Sequence, residues 1–232
     1  MGHPIEQLGV LITSHPKQQQ YWEEGLGSWR GCPQYILLGY DHTDFNGIPL
    51  NKFMPPVKET FTTGTPAGSL GHFRGELCQM KQGGKILAGK GYKYIYKTAA
   101  DTTCYRWRNL AGIFNVMRHT KTDIIMCGTA IMFAKLDAYN RCMELWENDL
   151  RSGGAELYFN SQIRALEIPT CPKKAPFWDR VLGRVHVQGE HAINHKTNVM
   201  RTWVDGQKWT PDYTHRDLPQ ERVEDLLKTN LV

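Results

Sequence analysis

One carboxylate stands out in the stretch KYIYKTAADTTCY, residues 93–105. Tyr94, Ile95 and Tyr96 predict a short buried strand, and Thr98, Ala99 and Ala100 then lead to Asp101. A strand that ends in one acid among small polar neighbours is where an open α/β sheet presents a ligand site. Small residues there let a bulky ligand approach the backbone. Asp is also a favoured helix cap, so the order of the surrounding elements has to decide between the two roles. Between Lys81 and Lys121 there are nine Lys and Arg residues against Asp101 alone. An excess of that kind focuses positive potential and favours nucleotides, phosphates or nucleic acid. A second carboxylate, Glu156 in GGAELYFNSQI, opens a predicted helix. It can serve as a base or simply complement the helix dipole. His186, His191 and His195 cluster in LGRVHVQGEHAINH, and neutral imidazole is a common metal ligand.

The elements that must position these groups follow in order. Leu8 to Thr13 is a continuous apolar run, as a strand buried on both faces requires. Pro16 forces the chain out of regular structure, and Trp22, Leu26 and Trp29 then recur at helical spacing, with Gly31 and Pro33 closing that helix. The two Trp residues read as core rather than as a ligand platform. Tyr35 to Gly39 is a second strand ending near Asp41, parallel to the first. Residues 42–70, rich in Pro, Gly, Thr and Asn, are expected to be mostly loop. From Gly71 a helix aligns Phe73, Leu77, Met80 and Leu87, and Gly83-Gly84 marks a close packing contact.

After the 93–105 stretch, Trp107 to Met117 has helical periodicity. Ile124 to Cys127 and Ala130 to Ala134 form one bent strand or two short ones. Leu136 to Leu150 is a helix with Leu136, Tyr139, Met143, Trp146 and Leu150 inward, broken at Gly153-Gly154. A further helix from Ala155 buries Phe159, Ile163 and Leu166. The expected division is a main domain over residues 1–204 and a polar C-terminal tail or flap over 205–232.

Length and composition set outer bounds. A chain of 232 residues, 41% hydrophobic and 22% charged, suits one well-packed soluble domain with at most a small appendage. No apolar run reaches the ~20 residues of a membrane helix, and the amino terminus lacks a secretory layout. Six cysteines without close pairing or metal-ligand spacing are expected to be reduced thiols in the cytoplasm.

The succession of a β-α-β start, a long loop and helix, a strand ending in an acid, then strand and helix with a Glu at a helix start resembles the GT-A nucleotide-sugar glycosyltransferases, family-2-like in layout. The resemblance runs from about Leu8 to Leu166. It implies an α/β fold, a Rossmann-like mixed sheet flanked by helices, and transfer of a sugar from a nucleotide-diphosphate donor to a hydroxyl acceptor, with inversion. The family's Asp-x-Asp motif is degenerate here: Ala99 stands at its first position and only Asp101 remains. Hard cations want several oxygen ligands, so Mn²⁺ or Mg²⁺ would be held by Asp101 with a distant group, for which the resemblance implies His191. Alternatively, Arg74 and Lys97 neutralise the donor diphosphate. Glu156 holds the place of the general base, with Leu157 where an Asp usually follows. Thr13, Ser14 and Asp41 hold the places that grip the nucleoside. The implied acceptor is a carbohydrate or a lipid-linked sugar.

Other readings share the architecture. A phage-type transferase acting on a hydroxymethylated DNA base would use the basic stretch, where Tyr92, Tyr94, Tyr105 and Trp107 are interleaved with cations. A non-catalytic nucleotide- or nucleic-acid-binding derivative is favoured by the absent Asp at position 99. Nucleotidyltransferases carry a Gly-rich basic loop after the first strand, and TSHPKQQQ has no glycine.

Overall fold

Four strands in the first hundred residues pair side by side. In the computed structural model the described residues are 4–15, 22–40, 57–63, 71–100, 102–104, 110, 114, 117–118, 121–127, 131–144, 155–169, 184–186, 202–204 and 207–209. Strand β1 (Leu8–Ser14) pairs in parallel with β2 (Tyr35–Tyr40) on one side and with β4 (Tyr94–Ala99) on the other. β3 (Glu59–Thr62) adds in parallel to β2. β6 (Ile124–Cys127) and β7 (Ile131–Lys135) are two strands of an antiparallel pair, and β7 runs antiparallel to β4. The result is a six-stranded mixed sheet, ordered β3-β2-β1-β4-β7-β6.

Helices cover both faces, which explains the unbroken apolar run of β1. Val10 and Ile12 join a cluster with Trp22, Leu26 and Trp29, the first two carried by α1 (Trp22–Gly27), and with the helical positions Leu110, Phe114 and Met117. Leu11 joins the opposite cluster, with Leu77, Met80 and Leu87 of α2 (Gly71–Gly89), Tyr139 and Met143 of α3 (Leu136–Glu144), and Phe159 and Ile163 of α4 (Ala155–Ala165). Alternating side chains therefore enter two cores. Both Trp residues are core, as expected, and the fold is a mixed α/β sheet flanked by helices.

The glycine pair in α2 is a packing device. A Cβ on Gly83 would stand 2.6 Å from Leu11 Cδ1, and one on Gly84 would stand 2.9 Å from Tyr139 Cε1. The helix can therefore lie close on β1 and α3 only where side chains are missing. It ends in a Schellman motif: Tyr92 N–H donates to the Leu87 carbonyl at 3.2 Å and Gly91 N–H to that of Ala88 at 2.9 Å, with Gly91 at φ 86°.

Residues 42–70, expected to be mostly loop, also hold the strand β3. ETFT is a half-buried edge strand of four residues, too short and too polar to show as an apolar run, although Thr and Phe suit a pleated surface. Four further short strands form two antiparallel pairs. β5 (Thr102–Cys104) pairs antiparallel with β8 (Arg184–His186), and β9 (Thr202–Val204) with β10 (Gln207–Trp209), so the expected boundary after residue 204 falls between two paired strands.

Candidate functional site

The chain leaves β1 toward β2 and β3 on one side, then returns to place β4 on the other. The strand order thus reverses between β1 and β4, which makes their carboxyl ends the topological switch point of the sheet. Ligands of open α/β sheets bind at such a switch point. Here the strand ends are Thr13 and Ser14 on β1 and Ala99 on β4, with Thr13 in register with Ala99 and all three buried. The Ala100 N–H donates to the Thr13 carbonyl at 2.9 Å, which closes the two strand ends together one residue before Asp101.

Thr13 and Ser14 are tied down at this edge. The Thr13 hydroxyl donates to the Thr98 carbonyl at 3.3 Å. Trp22 Nε1–H donates to Ser14 Oγ at 2.8 Å, and Trp22 also packs edge-on against Tyr40, with ring centroids 5.7 Å apart. Gln79, only 1% exposed, clasps the Ser14 peptide at two points. Its Oε1 accepts from the Ser14 N–H at 2.9 Å and its Nε2 donates to the Ser14 carbonyl at 2.8 Å. The side-chain amide pairs with β1 as another strand would, and so ends the strand without leaving orphan groups. Gly39 makes room for it: a Cβ there would lie 3.0 Å from Gln79 Oε1 and 2.8 Å from Phe61 Cζ.

Lys97 is fully buried on the α2 side of the sheet, where its ammonium meets Glu76 Oε1 at 2.5 Å, Glu76 being 17% exposed. A buried ammonium needs such a partner, because isolating the charge in a low-dielectric interior costs several kcal/mol. The pair ties β4 to α2 directly below the switch point.

Among the expected site residues, Thr13 and Ser14 lie together at the end of β1, while Lys97 is buried against Glu76. Arg74 lies on α2, two residues before Glu76, and Glu156 in the first turn of α4, where only their backbones are described. Asp41, Asp101 and His191 lie outside the described residues. The backbone still carries information about the histidine segment. β5 begins immediately after Asp101, and its Thr102 is in register with His186 of β8. Of the three histidines only His186 is among the described residues, and it lies beside the residue that follows Asp101. Among the described residues no cluster of three His, Cys, Asp or Glu is placed to hold a metal ion.

Gln79 and Glu76 are the residues sequence reasoning missed. The available signal was the α2 register: both lie on the turns that cross the sheet edge, and a polar residue on a core-facing helix stripe needs a partner.

Among solved structures, the chain overlays on a protein from Desulfovibrio desulfuricans G20 provisionally named a nucleotide-diphospho-sugar transferase. The overlay has a TM-score of 0.48 at 12% identity and covers 71% of this chain and 78% of that one. No family model and no curated protein matches the sequence. Among the described residues, no helix is long and apolar enough to cross a membrane.

Proposed function

We propose that the chain is a GT-A-type glycosyltransferase that takes a nucleotide-diphosphate sugar at the switch point between β1 and β4 and passes the sugar to a hydroxyl acceptor. The observation that carries this reading is the topological switch point, with Asp101 one residue past its closing hydrogen bond. Thr13, Ser14 and Asp41 line the nucleoside end. The clasp of Gln79 on Ser14 fixes that ledge, so donor binding costs little ordering of the protein. Arg74 would neutralise charge on the diphosphate, whereas Lys97 is already compensated by Glu76 and fixes β4 to α2.

Asp101 and His191 are the residues that would hold Mn²⁺ or Mg²⁺, a reading supported by the pairing of Thr102, next to Asp101, with His186, five residues before His191. Bound there, the cation supplies neutralisation of charge on the departing diphosphate. Glu156 accepts the acceptor's proton as its oxygen attacks the anomeric carbon. The new carbon–oxygen bond forms on the face opposite the leaving diphosphate, the bond to the diphosphate oxygen breaks, and its electron pair leaves with the nucleoside diphosphate. The sugar configuration is thereby inverted. Carbohydrate and lipid-linked hydroxyls are the acceptors that suit this chemistry.

The test is kinetic. Glu156→Gln should lower transfer by about 10²-fold or more, the usual contribution of a general base, with donor affinity nearly unchanged. Equal losses in both would make Glu156 a structural residue. Asp101→Ala should abolish transfer and leave the fold intact, and full turnover in that variant would refute the site.

A further inference from the structure

A second cleft lies at the opposite end of the same strands. It has a volume of about 420 Å³ and is lined by Tyr94, Phe114, Met117, Arg118, Lys121, Thr122, Asp123 and Lys135. Tyr94 opens β4 and pairs in register with Lys135, the last residue of β7. The cleft therefore sits at the amino edge of β4, the length of the strand away from Ala99. At ~3.3 Å per residue that is roughly 20 Å from the switch point. Ligand pockets of small molecules run from ~300 to 1,000 Å³, so the space suits a compact organic molecule.

The chemistry of the lining is two-sided. Its floor is aromatic: Phe114 meets Tyr94 edge-on at 4.7 Å and Phe133 at 5.2 Å, which fixes the rings before any ligand arrives. Its rim is cationic, with Arg118 and Lys121 exposed and Lys135 held by Asp123 Oδ1 at 2.6 Å. Three cations face one carboxylate, so the rim keeps an excess of positive charge. The helix end beneath it is locked. Thr122 N–H donates to the Met117 carbonyl at 3.1 Å and Lys121 N–H to that of Arg118 at 3.4 Å, a Schellman motif with Lys121 at φ 51° in the position glycine usually takes. A lysine kept in a left-handed conformation, at a cost of about 1 kcal/mol, holds the base of its side chain at the cleft mouth.

Part of the basic run of the sequence resolves in the same place. Lys97 turns into the core, whereas Arg118 and Lys121 come to this amino edge. Lys90 lies elsewhere, paired with Glu59 of β3 at 2.8 Å and over the Tyr35 ring at 5.1 Å. Cations interleaved with aromatic faces are how proteins hold a base by stacking and its phosphate by charge. We propose that this cleft binds a nucleoside phosphate unit, its ring on the Tyr94–Phe114 floor and its phosphate among Arg118, Lys121 and Lys135. The unit can be a free nucleotide or one residue of a single strand, because both present the same ring and anion. This cleft is independent of the donor site.

The test is calorimetric titration of the full chain with uridine monophosphate and, separately, with a short oligothymidylate. Lys121→Gly is the informative variant, since it removes the charge and relieves the backbone strain at once, so lost binding cannot be lost folding. Charge-assisted contacts are each worth tenfold or more in affinity. Binding should fall by about tenfold in Lys121→Gly and further with Arg118→Gln added, while Asp101→Ala binds as the wild type. Tighter binding of the oligomer than of the mononucleotide would assign the cleft to single strands, and equal affinity per site to free nucleotide. Wild-type affinity in the double variant, loss only in Asp101→Ala, or no saturable binding to either probe would each overturn the proposal.

Discussion

Replacing Gln79 by Leu keeps the volume at the end of β1 and removes both halves of the clasp. The Ser14 N–H and carbonyl, in a residue 2% exposed, then lose partners now at 2.9 and 2.8 Å. Each buried backbone group left orphaned costs about 1–3 kcal/mol. The Leu side chain gains little, since Gln79 is already packed, so the expected loss is about 3–4 kcal/mol. For a chain of this size ~2–4 °C is lost per kcal/mol, and thermal unfolding followed by circular dichroism should show a midpoint roughly 10 °C lower. Gln79→Glu sharpens the test. One carboxylate oxygen can still accept from Ser14 N–H, but the other faces the Ser14 carbonyl and must carry a proton to bond it. The folded variant then holds a proton that the unfolded chain releases near pH ~4.3. Folded protein binding more protons means stability that is greatest in acid and falls as pH rises past that value. A midpoint within roughly 3 °C of wild type for Gln79→Leu, or a Gln79→Glu variant that gains stability with rising pH, would refute the clasp as the terminus of β1.

Three further outcomes follow from the packing. Gly84→Ala should destabilise by about 1–2 kcal/mol in denaturant titration, because overpacking against Tyr139 outweighs the gain of ~1 kcal/mol in helix propensity. Tyr139 cannot swing clear, being fully buried with its hydroxyl donating to the Met80 carbonyl at 3.1 Å. Gly91→Ala should cost about 1 kcal/mol with no clash at all, from its φ of 86° alone. Burial pushes the Cys32 thiol up to about 11 and the Cys142 thiol up to about 12, so both should resist alkylation at pH 8 until the protein unfolds. By the same linkage they favour the folded state below pH ~9, the unfolded thiol value, and withdraw that contribution as pH climbs toward 11 and 12. Peptide mapping of alkylated cysteines checks it.

The strands that build the switch point were legible because burial on both faces writes itself as an uninterrupted apolar run. LGVLIT and YILLG have no other simple reading. Gly83 and Gly84 were legible for the converse reason: two glycines in a helical stripe make sense only where something comes close, and Leu11 and Tyr139 do. β3 was hidden since an edge strand of four residues needs no apolar face. Gln79 was hidden because its partner lies 65 residues away, and pairwise polar contacts at that separation leave no local pattern. The basic run misled in one respect. Its members flank Asp101 in sequence, but β4 carries the chain across the sheet, so Arg118 and Lys121 belong to the far edge while Lys97 is a buried structural cation. Proximity along a strand is proximity only to one end of it.

Donor binding at the switch point is measured most directly by the thermal midpoint of the full chain with UDP-, GDP-, CMP- and TDP-sugars, each with and without Mn²⁺, in wild type and Asp101→Ala. At ~100 times its dissociation constant, a ligand of the folded state adds about 2.7 kcal/mol. One sugar nucleotide should therefore raise the wild-type midpoint by roughly 5–10 °C, more with Mn²⁺ than without, and should fail to do so in Asp101→Ala. No shift with any donor, or the same shift in both proteins, would contradict a sugar-nucleotide site at the ends of β1 and β4.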